Sequence, residues 1–226
     1  MATPSDTPDE LVIPSGPFWD TLDPVISSAV ALCFTPQELE DLKLDPSASN
    51  PAKLHTLQEA LTEKLLTLEA ASQPSTLHEQ NYNQWQDLKS SLFHVHRGLG
   101  DKEEQEKILL EMINTPSAAG RDLAALHNLS ALCEEKGEYE KAERLALEVL
   151  PAIQGHALLG AASPQALGSL RVLIKAMWGQ GKTAQADDYV KQASASIDNL
   201  VGTPFAKYQQ EERDALVEVM AGMKSK

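Results

Sequence analysis

The sequence predicts an all-helical protein. Aromatic residues make up only 5% of its 226 residues, whereas alanine and leucine are abundant. A β-sandwich or barrel would need more β-branched and aromatic side chains than this. Apolar residues recur with a period near 3.6 from residue 51 onward, and no segment shows the two-residue alternation of a half-buried strand. Composition and periodicity therefore favour helices along the whole chain.

The first fifty residues differ from the rest in charge. They contain nine acidic residues and one basic residue, so they hold about eight of the fourteen excess negative charges. We expect residues 1–16 to form a flexible acidic tail, because so polar a segment can bury little apolar surface. We expect residues 17–50 to form an N-terminal helical segment. Apolar residues recur there at helical spacings from Phe18 to Phe34, and Thr35-Pro36-Gln37-Glu38 is typical of a capped helix start.

The remaining chain, residues 51–226, is predicted to form one domain of helices joined by turns. Polar and glycine-containing breaks interrupt the apolar periodicity at intervals typical of helical hairpins. The predicted helices cover residues 51–71, 77–99, 102–113, 122–136, 139–149, 165–178, 184–200 and 205–223.

Three of the predicted turns follow one pattern, centred on Gly100, Gly137 and Gly181. A glycine after a helix permits the tight reversal that joins two antiparallel helices. A single hairpin cannot bury its apolar face alone, so repeated hairpins are expected to stack on their neighbours. The shared positions are Leu92, Leu129 and Leu173 eight residues before the glycine, Val95, Leu132 and Ala176 five before it, and Gln105, Ala142 and Ala186 five after it.

The residues around the second and third turns are the most specific. Asn128-Leu129-Ser130-Ala131-Leu132 with Glu135 to Glu143, and then Leu173 to Ala186, resemble tetratricopeptide (TPR) repeats. The long connection from Leu159 to Leu167 resembles the link between repeats of the kinesin-light-chain type. The resemblance covers residues 122–195, is weaker over 85–115 and is absent from 1–80. It implies a superhelix of antiparallel helix hairpins, with a concave groove lined by the first helix of each pair.

That resemblance also implies a function, namely a non-catalytic adaptor or scaffold that binds another protein in its groove. The groove-facing positions on the first helices are Ser90, His94, Arg97, His127, Asn128, Arg171 and Lys175. Arg171 and Lys175 lie four residues apart and share a helix face, which favours an extended or acidic peptide as the ligand. Alternatively, these two cations pair with Glu134, Glu135 or Asp187.

No catalytic residue, cofactor or metal ion is expected. Ala176 to Thr183 fits a relaxed phosphate-loop pattern, but a helix precedes it where such a loop needs a strand. His94 and His96 are two residues apart, and metal ligands on a helix are typically three or four apart. The acidic pairs, such as Glu103-Glu104, are adjacent and diverge around a helix, so they do not form an acid–base site.

A second interpretation stays open, that of a small helical enzyme or ligand-binding protein. The N-terminal residues 1–80 have no assigned role, and they could close the groove into a pocket. Its site candidates would be His94, His127, Tyr139 and Trp178. A deep pocket with converging histidines or carboxylates would support this interpretation, and an open groove would count against it.

Charge and hydropathy limit the partners and the location. A net charge of −14 disfavours nucleic acid and anionic membrane surfaces, since each phosphate contact needs a lysine or arginine. The longest apolar run, Val25 to Phe34, is too short to cross a bilayer. No secretory signal is visible in residues 1–10, so a cytoplasmic location is expected. The expected partner is another protein or peptide, or the chain's own acidic N-terminal segment, and the chain is expected to be a monomer or homodimer.

Overall fold

The computed structural model describes residues 14–117, 120–156 and 159–224. Within these ranges the chain is helical and contains no strand, which confirms the all-α prediction. It divides into two compact units, Met1–Thr115 and Pro116–Lys226. The domain boundaries predicted after residues 16 and 50 stay predictions. Apart from residues 14–16, the predicted tail lies outside the described residues.

The described part of the first unit contains six helices. They are α1 (Pro24–Cys33), α2 (Pro36–Asp41), α3 (Asn50–Ala71), α4 (Leu77–Gln80), α5 (Tyr82–Leu99) and α6 (Lys102–Asn114). Helices α1, α3, α4 and α6 all pack against α5, which is therefore the centre of this unit. The sequence predicts one helix over residues 77–99, but Asn81 separates α4 from α5. Its side chain accepts a hydrogen bond from the backbone N–H of Gln84 and so starts a new helix.

The N-terminal segment of this unit is part of its core. Phe18, Leu22, Ile26, Val30 and Cys33 are buried, as the helical spacing of the apolar residues predicts. Helix α2 begins with the predicted capping box at Thr35 and Glu38, and it ends at Asp41.

Lys53 fixes the start of this segment to α3. Its side chain is 1% exposed, and Nζ donates hydrogen bonds to the carbonyl oxygens of Pro17 (3.2 Å) and Phe18 (2.9 Å) and to Oγ1 of Thr21 (3.0 Å). Nζ also lies 5.1 Å from the centre of the Phe18 ring. An ammonium group has three donors, and all three are used here.

The second unit contains five α-helices among its described residues. They are α7 (Leu123–Glu135), α8 (Tyr139–Gly155), α9 (Pro164–Gly179), α10 (Thr183–Asp198) and α11 (Gln209–Lys224), the last preceded by a short 3-10 turn at Ala206–Tyr208. Helices α7 and α8 pair, as do α9 and α10, and α9 also packs against α7, α8 and α11. Helix α8 continues to Gly155, past the predicted end at residue 149 and through Pro151. Leu150 and Ile153 are buried, so packing outweighs the backbone hydrogen bond that proline removes.

The three predicted turn glycines are confirmed. Gly100, Gly137 and Gly181 have φ values of 74°, 77° and 75°, in the left-handed region that favours glycine. After each, the next backbone N–H bonds to the carbonyl five residues back, at 3.0, 2.8 and 2.9 Å. The leucines eight residues before each glycine are all buried. Five residues after the turn glycine, the first hairpin has Gln105 where the other two have the buried residues Ala142 and Ala186. The side-chain amide of Gln105 donates a hydrogen bond to the carbonyl oxygen of His96 at 3.3 Å.

Candidate functional site

A cavity of about 740 Å³ lies in the second unit. Its walls come from α7, α9 and α11 and from Tyr139, the first residue of α8. We call it the α9 groove, because α9 contributes Trp178 and both cations of its wall. The apolar part of the wall consists of Tyr139, Trp178, Ala215, Val219 and Met223, and the charged part consists of Glu134, Arg171, Lys175 and Glu218.

Gly179 determines where the Tyr139 ring can lie. A Cβ atom at Gly179 would come within 2.5 Å of Cε2 of Tyr139 and within 2.6 Å of two further ring atoms. The ring therefore lies directly against the backbone of α9, next to Trp178, and any larger residue would displace it. Both aromatic side chains are half-buried and line the cavity.

Both cations of the groove have partners within the chain. Lys175 forms an ion pair with Glu134 of α7, which was one of the predicted alternatives. Arg171 forms an ion pair with Glu212 of α11, a partner that was not among the predicted alternatives. The carboxylates are more buried than the cations: 13% and 8% of the side chains of Glu134 and Glu212 are exposed, against 42% and 24% for Lys175 and Arg171. The positive charge on which the acidic-peptide prediction rests is therefore locally neutralised.

Glu218 differs from these carboxylates. It lines the α9 groove and is exposed. Within the described part of the chain no cation pairs with it. One unpaired negative charge thus remains on the wall.

His127 and Asn128 belong to α7, but neither lines the cavity. Nδ1 of His127 lies 2.9 Å from Oγ of Ser169 and shares a hydrogen bond with it. A Cβ atom at Gly168 would approach Cε1 of the same ring to 3.2 Å. His127 therefore sits in the close packing of α7 against α9, and Asn128 beside it is half-buried.

The other three predicted site residues, Ser90, His94 and Arg97, lie on α5 of the first unit. Ser90 and His94 are half-buried and Arg97 is exposed. Next to Ser90, the hydroxyl of Ser91 is covered by α1: Oγ donates to the carbonyl of Ala29 at 2.7 Å and lies 3.1 Å from Sγ of Cys33. Burial raises the pKa of the Cys33 thiol to about 11. Burial also lowers the pKa of His94, with a smaller effect in the same direction from Arg97.

Of the four candidates for an enzyme site, two line the α9 groove. Tyr139 and Trp178 line the α9 groove, whereas His94 belongs to the other unit and His127 is used in helix packing. No histidine lines the groove. Among the described residues, no group of three or more histidine, cysteine or carboxylate side chains could hold a metal ion.

Several groove residues were not predicted as site residues, namely Gly179, Glu218, Val219 and Met223. The last three lie on α11, beyond residue 195, where the repeat pattern ends. In the sequence these three residues have the i, i+1 and i+5 spacing that places side chains on one face of a helix. This spacing does not indicate that the face lies against α9.

Neither membrane-spanning helices nor similarity to known proteins assigns the described chain to a class. Across the described residues, no helix combines the length and apolar character needed to cross a bilayer. Comparison with protein-family models, with characterised proteins and with solved structures gives no match.

Proposed function

We propose that this chain is a non-catalytic protein–protein interaction module, and that the α9 groove binds a peptide segment of another protein. The observation that carries the proposal is the groove itself, formed by α7, α9 and α11 with Tyr139 and Trp178 on its wall. Aromatic residues are enriched at the centres of protein interfaces, because they bury a large apolar area and keep a polar tip. A volume of about 740 Å³ is within the usual range of ligand pockets.

The chemistry of the wall favours binding over catalysis. A general acid or base has to reach a substrate proton from within a site, usually together with a second polar group that orients it. In the α9 groove, Glu134, Arg171 and Lys175 are engaged in ion pairs, and Glu218 is exposed and makes no ion pair with any described residue.

We further propose a TPR-like solenoid as the architecture behind this groove. The support is that the first helix of each of three hairpins is followed by a glycine with a positive φ. In all three, the N–H of this glycine bonds to the carbonyl three residues back, and the next N–H bonds to the carbonyl five residues back. In such a solenoid the first helices of successive pairs share one concave face, and the proposal is supported by the fact that residues of α7, α9 and α11 line one cavity. A cytoplasmic adaptor, acting as a monomer or homodimer, fits this role.

The test is selection of peptides by the full chain. A displayed library of random twelve-residue peptides is panned on the immobilised wild-type protein, and the affinities of the enriched peptides are then measured for the wild type and for the Trp178→Ala variant. The matched control is Tyr189→Ala, which removes a half-buried aromatic side chain of the same unit that does not line the α9 groove. Circular dichroism establishes that each variant remains helical.

We expect enriched peptides to bind the wild type and Tyr189→Ala equally and to lose at least tenfold in affinity for Trp178→Ala, since truncating a central aromatic residue costs about 2 kcal/mol or more. Peptides that bind all three proteins with the same affinity would show that the groove is not the binding site.

A further inference from the structure

We infer that the α9 groove prefers a peptide that carries a lysine or arginine, with its cation held at Glu218 next to Trp178 and Tyr139. This inference rests on the proposed function and adds the chemistry of the partner. It reverses the charge preference that the sequence alone suggests.

The groove cations are already neutralised by carboxylates of the chain itself. An acidic ligand would have to compete with Glu134 for Lys175 and with Glu212 for Arg171. Glu212 is 6% exposed, so displacing it would leave a buried carboxylate without its partner. That penalty opposes the binding of an acidic peptide.

The charge that remains on the groove wall is negative. Glu218 is exposed to the groove, and no described residue pairs with it. A lysine or arginine of the ligand would complete this ion pair without breaking any existing contact. Charge complementarity of this kind determines the choice of partner and the association rate.

Two aromatic side chains, Tyr139 and Trp178, lie on the same wall. Lysine and arginine are attracted to the faces of tryptophan and tyrosine rings, and their aliphatic stems cover apolar surface. The Tyr139 ring packs against the backbone of α9 at Gly179, on the same wall as Trp178. The overall charge of −14 attracts cationic partners as well.

The experiment compares three nine-residue peptides with blocked ends. They share leucines at positions 3, 5 and 7 and differ only at positions 4 and 6, which are both lysine, both glutamine or both glutamate. Binding is followed by the fluorescence of Trp178, because the other two tryptophans, Trp19 and Trp85, are buried in the first unit. The variants are Glu218→Gln and its matched control Glu211→Gln, which changes an exposed residue of the same helix outside the groove and alters the net charge equally.

We expect the lysine peptide to bind most tightly, the glutamine peptide less tightly and the glutamate peptide least tightly. Glu218→Gln should weaken the lysine peptide about fivefold, as the loss of one partly exposed ion pair predicts, and leave the glutamine peptide unchanged. Glu211→Gln should bind all three peptides like the wild type.

Two results overturn the inference and leave the proposed function intact. The first is tightest binding of the glutamate peptide. The second is equal weakening of the lysine peptide by both variants, which would mean long-range attraction without a site at Glu218. If none of the three peptides changes the fluorescence of Trp178 or binds in a manner that Trp178→Ala abolishes, both the inference and the proposed function fail.

Discussion

The two units use the same helical hairpin in different ways. Gly98 and Gly179 occupy the same position, two residues before their turn glycines. In the first unit a Cβ atom at Gly98 would lie 2.8 Å from Cδ1 of Ile26 and 3.0 Å from Cδ1 of Leu54, so the absence of a side chain allows α1 and α3 to pack closely on α5. In the second unit the absent side chain of Gly179 makes room for a groove residue, Tyr139.

A second position makes the same contrast. Six residues before the turn glycine stands His94 in the first unit and Lys175 in the second. His94 is half-buried and has a pKa lowered by burial, whereas Lys175 reaches into the α9 groove. The hairpin pattern thus determines the turn and the core of each pair. Whether the outer face of the first helix is covered depends on segments outside the pattern, α1 in one unit and α11 in the other.

The largest effect is expected at Lys53, which ties residues 17–21 over the first unit. Lys53→Met keeps most of the buried aliphatic chain but leaves the carbonyls of Pro17 and Phe18 without their donor. We expect the free energy of unfolding to fall by about 3 kcal/mol. Urea unfolding is followed by tryptophan fluorescence in a Trp178→Phe background, where the two remaining tryptophans both report on this unit.

The control for this change is Lys107→Met in the same unit. The Lys107 side chain is 71% exposed and pairs with Glu104, so its loss should change the free energy of unfolding by less than about 0.5 kcal/mol. Equal effects of the two substitutions would contradict a special role for Lys53 and leave only a general effect of charge.

The next largest effect is expected in the second unit, at the ion pair between α9 and α11. Glu212→Gln replaces a buried carboxylate and leaves Arg171 without its partner. We expect a loss of about 2 kcal/mol in the free energy of unfolding, reported by Trp178 fluorescence. The neighbouring Glu211→Gln changes an exposed carboxylate and should have no measurable effect. If both variants unfold like the wild type, α11 is not held by this pair, and the contrast between the two units weakens.

Local features of this fold could be predicted from sequence, and long-range ones could not. The helices and the turns at Gly100, Gly137 and Gly181 follow from periodicity and from one residue's backbone freedom, both of which lie within a few residues of chain. The role of Lys53 was missed, because a lysine in an amphipathic helix usually faces water. It is buried here since a segment more than thirty residues earlier in the chain folds over it.

The groove shows the same limit. Trp178 and Tyr139 could be named as candidates, and Glu134 was one of three possible partners for the cations. The pair between Arg171 and Glu212 spans 41 residues and depends on α11, which the repeat pattern does not include. The sign of the groove's free charge could therefore be inferred only after the helices were placed.

A smaller effect is expected from adding one methyl group at each of the paired glycines. Gly98→Ala forces Ile26 and Leu54 aside, and overpacking of this kind costs 1–3 kcal/mol, partly offset by the higher helix propensity of alanine. We expect a net loss of about 1 kcal/mol in the free energy of unfolding, measured in the Trp178→Phe background.

Gly179→Ala should instead change binding. The Tyr139 ring is half-buried and can turn toward solvent, so the expected change in stability is below about 1 kcal/mol, whereas the affinity for groove peptides should fall. Gly222→Ala is the control, because a Cβ atom there meets nothing within 4 Å although the residue lines the same groove. The comparison of the units fails if Gly179→Ala destabilises the protein more than Gly98→Ala and leaves peptide binding unchanged.

The smallest effect is expected from His94 and appears as a dependence of stability on pH. Burial lowers its pKa in the folded protein, so in the interval between the folded and unfolded pKa values the unfolded chain binds more protons. The stabilisation that comes from the neutral His94 ring is therefore fully present above the unfolded pKa of about 6.5 and is lost as the pH decreases below it.

Urea midpoints measured at pH 7.5 and 5.5 should differ more for the wild type than for His94→Gln. His55→Gln, at an exposed histidine of the same unit, should keep the wild-type difference. If His94→Gln also keeps it, the covered face of α5 does not exclude water from this ring, and the two units are more alike at this position than their packing indicates.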